Sequence, residues 1–457
     1  MMTLDFVCQA LEQPTLPHSP NIKGICTDSR SVSLGDLFVA LKGPNFNGHD
    51  FLSQAFSQGA IAAITSEVTA YKQPCIQVND ARLALGKLAA AWRQQFRLPL
   101  IALTGSNGKT TVKEMLVSIL SQLLVAEETL CATKGNLNNE IGVPLTLFAL
   151  TDSSRHAVIE MGANHAGEIA YLTQLAKPDV ALVNNASRAH LEGFGSVEKV
   201  AKAKAEIFSG LSSDGIAVFN ADDIHAPLWR EKTRDFQMLT FGLMSEDADV
   251  KATVHGIENG QRLDMMTPEG SMSVRLSVSG RHNAMNALAA TAGALALGVS
   301  PQHIVQGLEN FLPVKGRLQF VSGYGQSQLI NDSYNANPDS LLAAIDVLSN
   351  VRGKRMLVLG DMGELGADAE ALHEAAGVQA KTAGIDGLTT LGSLASHALN
   401  GFSGGQSFSE ISPLVTHLKT FIEEQRAVGE NVTLLIKASR FMRMERVIQA
   451  LQKKEFD

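Results

Sequence analysis

The strongest chemical signal in the chain is a run of eight residues, Thr104-Gly-Ser-Asn-Gly-Lys-Thr-Thr111, set between an apolar run and a helical pattern. Gly105 and Gly108 let backbone N–H groups approach the oxygens of a phosphate. The helix that follows presents its free N-terminal donors to negative charge. Lys109 would pair with the β- and γ-phosphates of ATP, and the Thr110 hydroxyl would sit on Mg²⁺. Thr104, Ser106, Asn107 and Thr111 complete the set expected to contact the nucleotide. Leu103 stands where the common pattern G-x-x-x-x-G-K-[ST] has its first glycine. The loop is therefore shorter, and generic kinase and GTPase readings lose weight.

Glu160 ends the apolar run Ala157-Val-Ile-Glu160. Open α/β sheets hold their ligands at such carboxyl ends of strands. An ionised glutamate facing a phosphate loop suits Mg²⁺, which takes few carboxylates and keeps several waters.

These groups need a scaffold that gathers strand ends. Leu98-Pro-Leu-Ile-Ala-Leu-Thr-Gly105 and Arg355-Met-Leu-Val-Leu-Gly-Asp361 are apolar runs turning on glycine. Each reads as a buried parallel strand entering a helix, the unit of doubly wound sheets. Val112, Met115, Leu116, Ile119, Leu120 and Leu123 then recur at helical spacing. Further strands read at residues 157–160, 179–183 and 216–219, and the alanine-rich run 283–297 reads as a buried helix. Gly24, Gly35, Gly43 and Gly48 punctuate a small α/β unit at the N-terminus, and Leu312-Pro-Val-Lys-Gly-Arg317 breaks the helical pattern further on. The fold class is α/β in three domains. A small N-terminal unit covers residues 1–81, a central domain with a parallel or mixed phosphate-loop sheet covers 82–313, and a Rossmann-like domain covers 314–457.

At 457 residues the chain suits about three cores. Apolar residues at 45% and charged residues at 18% carry no signature of disorder. The net charge of -8 argues against a nucleic-acid binder, although one basic loop can still hold a polyphosphate. Cys8, Cys26, Cys75 and Cys131 are scattered, without metal-ligand spacing, as in a reduced compartment. The segment Met1 to Leu11 lacks a basic region before an apolar run, and no stretch approaches ~18 apolar residues. A cytoplasmic protein without a membrane span is expected.

The loop T-G-x-x-G-K-T-T resembles the ATP loop of the Mur ligases and the folylpolyglutamate synthases. Five further segments are similar to the Mur ligases, specifically to the branch that adds a dipeptide. They are Lys134-Gly-Asn-Leu-Asn-Asn-Glu-Ile-Gly-Val-Pro-Leu145, Glu160-Met-Gly-Ala-Asn-His-Ala-Gly-Glu-Ile169, Ala189-His-Leu-Glu-Gly-Phe-Gly-Ser196, Asn331-Asp-Ser-Tyr-Asn-Ala-Asn-Pro338 and Leu359-Gly-Asp-Met-Gly-Glu-Leu-Gly366. The matches run from Thr27 to Arg440 and cover nearly the whole chain.

The resemblance implies that ATP activates the terminal carboxylate of UDP-N-acetylmuramoyl-tripeptide as an acyl phosphate. The amine of D-alanyl-D-alanine then attacks, giving the pentapeptide of peptidoglycan synthesis. It implies a monomer with Lys109, Glu160, His190 and Lys204 as catalytic residues. Thr110 and Glu160 would hold one Mg²⁺ and His190 with a carbamylated Lys204 a second, while Lys202 reads as a surface lysine. Asn283 would contact adenine, Arg317 phosphate and Asp332 the ribose. Ser29, Arg30 and Lys42 would hold the UDP end, and Asn138 and Asn139 would orient substrate polar groups. Two positions depart from the family pattern: Arg188, where small residues are usual, and Ala438, where glycine is usual. Alternatives are a superfamily ligase adding a single amino acid to a muramyl peptide or folate, and a non-catalytic nucleotide-binding scaffold.

Overall fold

Strand Leu100–Thr104 is buried at every position. Leu100 and Ala102 pack into the core on one side of the sheet, Ile101 and Leu103 into the core on the other. A strand covered on both faces must be apolar at successive positions, which is why this run does not alternate. The computed structural model, which describes residues 1–15, 18–258 and 260–452, places this strand inside a nine-stranded sheet. Ser154–Glu160 and Val180–Val183 flank it, both parallel to it. Thr129–Ala132 lies outside Ser154–Glu160, while Ile216–Asn220 and Gln237–Gly242 continue the parallel order beyond Val180–Val183.

After Leu100–Thr104 the chain moves outward to Thr129–Ala132, returns through Ser154–Glu160, and crosses to Val180–Val183. The strand order therefore reverses at Leu100–Thr104, and the crevice beyond the carboxyl ends at such a reversal is where open α/β sheets bind ligands.

Helices cover both faces of the sheet. Lys109–Ser121 and Arg281–Ala296 pack on the face of Ile101 and Leu103. Glu168–Ala176 and Val197–Ala205 pack on the other. The alanine-rich helix is buried around most of its circumference, because small side chains let it approach the strands closely.

The sheet extends further than the sequence reading. Val250–Ile257 joins it in parallel, then Gly260–Thr267 and Gly270–Leu276 add antiparallel strands. Met272, Val274 and Leu276 are buried while Ser271, Ser273 and Arg275 are exposed. This period-two alternation marks a half-buried strand, and it was present in the sequence.

The C-terminal region forms a six-stranded sheet with Val432–Lys437 between Gln328–Asp332 and Lys354–Gly360. All its pairings are parallel except that of Gln319–Ser322 with Gln328–Asp332. Ala438 is fully buried, and a Cβ on Gly360 would stand 2.6 Å from the Ala438 Cβ. The methyl at 438 fills space in the core beside Gly360. At the N-terminus four short parallel strands, Ile25–Cys26, Leu37–Val39, Ala62–Thr65 and Cys75–Gln77, form a separate sheet. Helix Ala81–Arg93 packs Ala81, Leu85 and Leu88 against that core and Ala89 against the central one. Asp80 caps the helix, accepting from the Arg82 and Leu83 amides. Among the described residues no helix is long and apolar enough to cross a membrane.

Candidate active site

The phosphate loop joins the carboxyl end of Leu100–Thr104 to helix Lys109–Ser121. Gly108 has φ 78°, and a Cβ there would meet Asn286 Oδ1 at 2.3 Å and Asn184 Nδ2 at 2.6 Å. Both the backbone and the space demand glycine. Asn184 Nδ2 donates to Asn107 O, and Asn185 Oδ1 accepts from the Asn107 amide. Two asparagines beyond the neighbouring strand thus shape the loop from outside.

A cavity of about 940 Å³ opens in front of it. Residues 106–111, Glu160, His190 and Asn283 contribute from the central domain, and Arg317, Asp332, Glu364 and Lys437 from the C-terminal domain. Asn138 and Asn139 also line it.

Lys109 Nζ donates to Gly105 O at 2.6 Å and to Ser106 O at 3.2 Å, so its ammonium is held over the loop. Burial pushes its pKa down, against the opposing pull of Glu160. Glu160 is only 2% exposed, and both oxygens are engaged. Oε2 accepts from the Thr110 hydroxyl at 3.0 Å and Oε1 from Asn138 Nδ2 at 2.8 Å. Arg317 Nη2 approaches Thr110 Oγ1 at 3.4 Å, and its guanidinium stacks 4.1 Å above the Tyr334 ring. A cation of the C-terminal domain thereby faces the hydroxyl that begins the phosphate-loop helix.

His190 has φ 55° and stands at the start of the short helix Leu191–Phe194. Its Nδ1 lies 2.5 Å from Glu364 Oε2, and this neighbour holds the Glu364 carboxyl below its usual range. Lys204 lies on Val197–Ala205, is 1% exposed, and does not reach the cavity wall. Among the described residues its Nζ has no hydrogen-bond partner, and it sits 5.9 Å from the Phe194 ring centre. Burial, assisted by Lys109, pushes its pKa down to about 7. Lys202 is exposed and pairs with Glu198 at 2.7 Å, an ordinary surface contact one helical turn away.

Several sequence expectations are redistributed. The Thr104 hydroxyl donates to Met161 O at 2.8 Å inside the core and lines no part of the cavity. Asn138 positions Glu160, while Asn139 Oδ1 accepts from the Ile141 and Gly142 amides in the turn before helix Gly142–Leu147. Asn283 Nδ2 donates to Ser279 O. Ser29, Arg30 and Lys42 lie apart from the cavity, on the N-terminal unit. Ser29 is buried and donates to Gln54, Arg30 is exposed and paired with Asp28, and Lys42 is exposed on a short β-ladder.

Lys437 is missing from the sequence assignment. It is buried and donates to Asp332 Oδ2 at 2.5 Å and to Asn335 O at 2.9 Å. Burial lowers its pKa while Asp332 raises it. The signal was a lone lysine closing an apolar strand, the same strand-end logic that singled out Glu160.

Among the described residues no group of three or more His, Cys, Asp or Glu could hold a metal. Glu160 and the Thr110 hydroxyl, 3.0 Å apart, suit a cation that takes its remaining oxygens from phosphate and water.

The fold and the cavity together define a nucleotide-using enzyme of three α/β domains. Residues 21–93 match the model described as Mur ligase family, catalytic domain; residues 103–294 match Mur ligase middle domain; residues 316–440 match Mur ligase, glutamate ligase domain. The chain belongs to the Mur ligase family. It is similar to the UDP-N-acetylmuramoyl-tripeptide--D-alanyl-D-alanine ligase of Escherichia coli (strain K12), at 46% identity over 94% of each chain. It is similar also to a crystal structure of MurF from Acinetobacter baumannii, with TM-score 0.91, 38% identity and 98% of each chain covered. A MurF ligase from Thermotoga maritima in complex with ADP aligns with TM-score 0.81 at 28% identity, over 93% of this chain and 96% of that one.

Proposed function

We propose that this chain joins D-alanyl-D-alanine to the terminal carboxylate of UDP-N-acetylmuramoyl-tripeptide, using ATP, to form the pentapeptide of peptidoglycan synthesis in the cytoplasm. The observation that carries the reading is a phosphate loop facing an opposing cation, Arg317, across one cavity, in a chain 46% identical over 94% of its length to a ligase of that name.

The substrate carboxylate attacks the γ-phosphorus of ATP; an oxygen–phosphorus bond forms and ADP leaves. The amine of the dipeptide then attacks the acyl carbon, and phosphate leaves as the peptide bond forms. Carboxylate and triphosphate repel one another, so fixed cations must come first. Lys109 and Arg317 supply them from the central and C-terminal domains. One Mg²⁺ would be held by Thr110 and Glu160, and a second by His190 together with Lys204 once its nitrogen has taken up CO₂; when bound they would neutralise phosphate charge. The unpartnered Lys204 nitrogen fits that role, because an unmodified lysine there leaves a buried amine unsatisfied. Asp332, steadied by Lys437, is offered to the ribose and Asn283 to the base. Ser29, Arg30 and Lys42 are proposed to meet the UDP end from the N-terminal unit. Closing the two domains around the cavity excludes water from the acyl phosphate.

A single-amino-acid ligase of the same family is the nearest alternative. Phosphate release is expected only with UDP-N-acetylmuramoyl-tripeptide and D-alanyl-D-alanine together, with free D-alanine or L-amino acids poor acceptors. Equal turnover with a single amino acid overturns the dipeptide assignment and leaves ligation intact.

A further inference from the structure

Arg188, the position that departs from the family pattern, neither enters the cavity nor points freely to solvent. Its backbone N–H donates to Asp339 Oδ2 at 2.7 Å, while Nε and Nη2 donate to Asp339 Oδ1 at 3.0 and 2.6 Å. All three donors of one residue converge on one carboxylate, and the guanidinium pKa rises in response. Arg188 belongs to the central domain. Asp339 lies in the first turn of helix Pro338–Ser349 of the C-terminal domain.

Both ends of this contact continue to the phosphate loop. Ser187, next to Arg188, accepts from Asn107 Nδ2 at 2.8 Å through its hydroxyl, and its amide donates to Ser106 Oγ at 2.9 Å. Asn337, which caps the helix carrying Asp339, donates through Nδ2 to Asn107 Oδ1 at 2.8 Å. The result is a closed ring, Asn107–Ser187–Arg188–Asp339–Asn337 and back to Asn107, that crosses the domain boundary twice. Asn107 belongs to the loop that holds the nucleotide phosphates, so a shift of the C-terminal helix is transmitted to that loop through two routes.

We infer that Arg188 and Asp339 are positioning residues that latch the C-terminal domain onto the phosphate loop, so that domain closure and nucleotide binding support one another. Side-chain exposure of 41% and 29% leaves the pair in contact with water, so it can open as the domains part. The inference rests on the reading of the cavity as an ATP site.

The test compares R188A, D339A and the double variant with wild type. It follows ATP KM, kcat, the affinity for a non-hydrolysable ATP analogue, and phosphate released per peptide bond formed. ATP KM and analogue dissociation constant should rise about fivefold, the scale of a half-exposed bidentate pair. D339A should be the more affected, because R188A keeps the backbone donor. Phosphate should exceed peptide product as water reaches the acyl phosphate. The double variant should be no worse than D339A alone, since both changes break the same contact. Unchanged KM and coupling, a fall in melting temperature alone, or additive effects in the double variant would each overturn the latch. If wild type shows no acceptor-dependent turnover, the proposed function fails, and the analogue affinities alone still decide the latch.

Discussion

Lys204→Ala is expected to remove most ligase activity, on the order of a hundredfold in kcat, while Lys202→Ala is nearly neutral. The two lysines sit two positions apart on one helix and differ in every physical respect. Lys202 is solvent-exposed and paired with Glu198. Lys204 is buried, without a hydrogen-bond partner among the described residues, and burial and Lys109 lower its pKa against the opposing pull of Glu168 and Glu206. Its pKa of about 7 keeps much of it as the neutral amine at neutral pH, the form that adds CO₂. Addition forms the nitrogen–carbon bond and releases a proton, converting a stranded base into a hard oxygen ligand of the kind Mg²⁺ takes. The amine is more available above pH 7 and is lost to protonation below it, so carbamylation should fall as pH drops through that value. A small carboxylate such as formate should restore part of the activity of Lys204→Ala, and the intact protein should carry the mass of one added CO₂. Damage from Lys202→Ala with a silent Lys204→Ala would move the motif by two residues; silence from both would end the carbamate assignment.

Lys109→Ala is expected to lower kcat by about a hundredfold or more, a loss of ~3 kcal/mol of charge-assisted contact to the transferring phosphate. Lys109 also bridges the Gly105 and Ser106 carbonyls, so a small drop in melting temperature should accompany the loss. Arg317 remains across the cavity and keeps ATP affinity from collapsing. The effect should therefore appear mainly in kcat, measured separately from KM. Wild-type kcat in this variant would show that the loop does not hold ATP productively.

The parts of the molecule that could be read from sequence were those with a local signature. The phosphate loop lies at the strand–helix junction its motif required, and the buried strands through Leu100–Thr104, Val180–Val183 and Lys354–Gly360 follow from continuous apolar runs. The meander through Gly270–Leu276 carries only a weaker signature, a short alternation of apolar and polar residues on a half-exposed antiparallel strand. Contacts between domains had no local signature. Nothing near Arg188 in the chain points to Asp339, 151 residues on, and nothing near Asp332 points to Lys437, 105 residues on. Nothing near Ala438 in the chain points to Gly360, whose lack of a side chain leaves room for the Ala438 methyl. The places of Lys109, Glu160 and His190 on one cavity were legible because residue type and family pattern agreed, with a strand end added at Glu160. Ser29, Arg30 and Lys42 had type and pattern without a shared cavity.

In the proposed reaction a carboxylate is activated by phosphoryl transfer before the dipeptide attacks it. The most direct measurement uses UDP-N-acetylmuramoyl-tripeptide labelled with ¹⁸O in its terminal carboxylate, incubated with ATP and D-alanyl-D-alanine, and reads both products by mass spectrometry. One labelled oxygen is expected in the released phosphate, with the muramyl product heavier by one dipeptide residue unit. Unlabelled phosphate, or a product lacking the dipeptide, would contradict it.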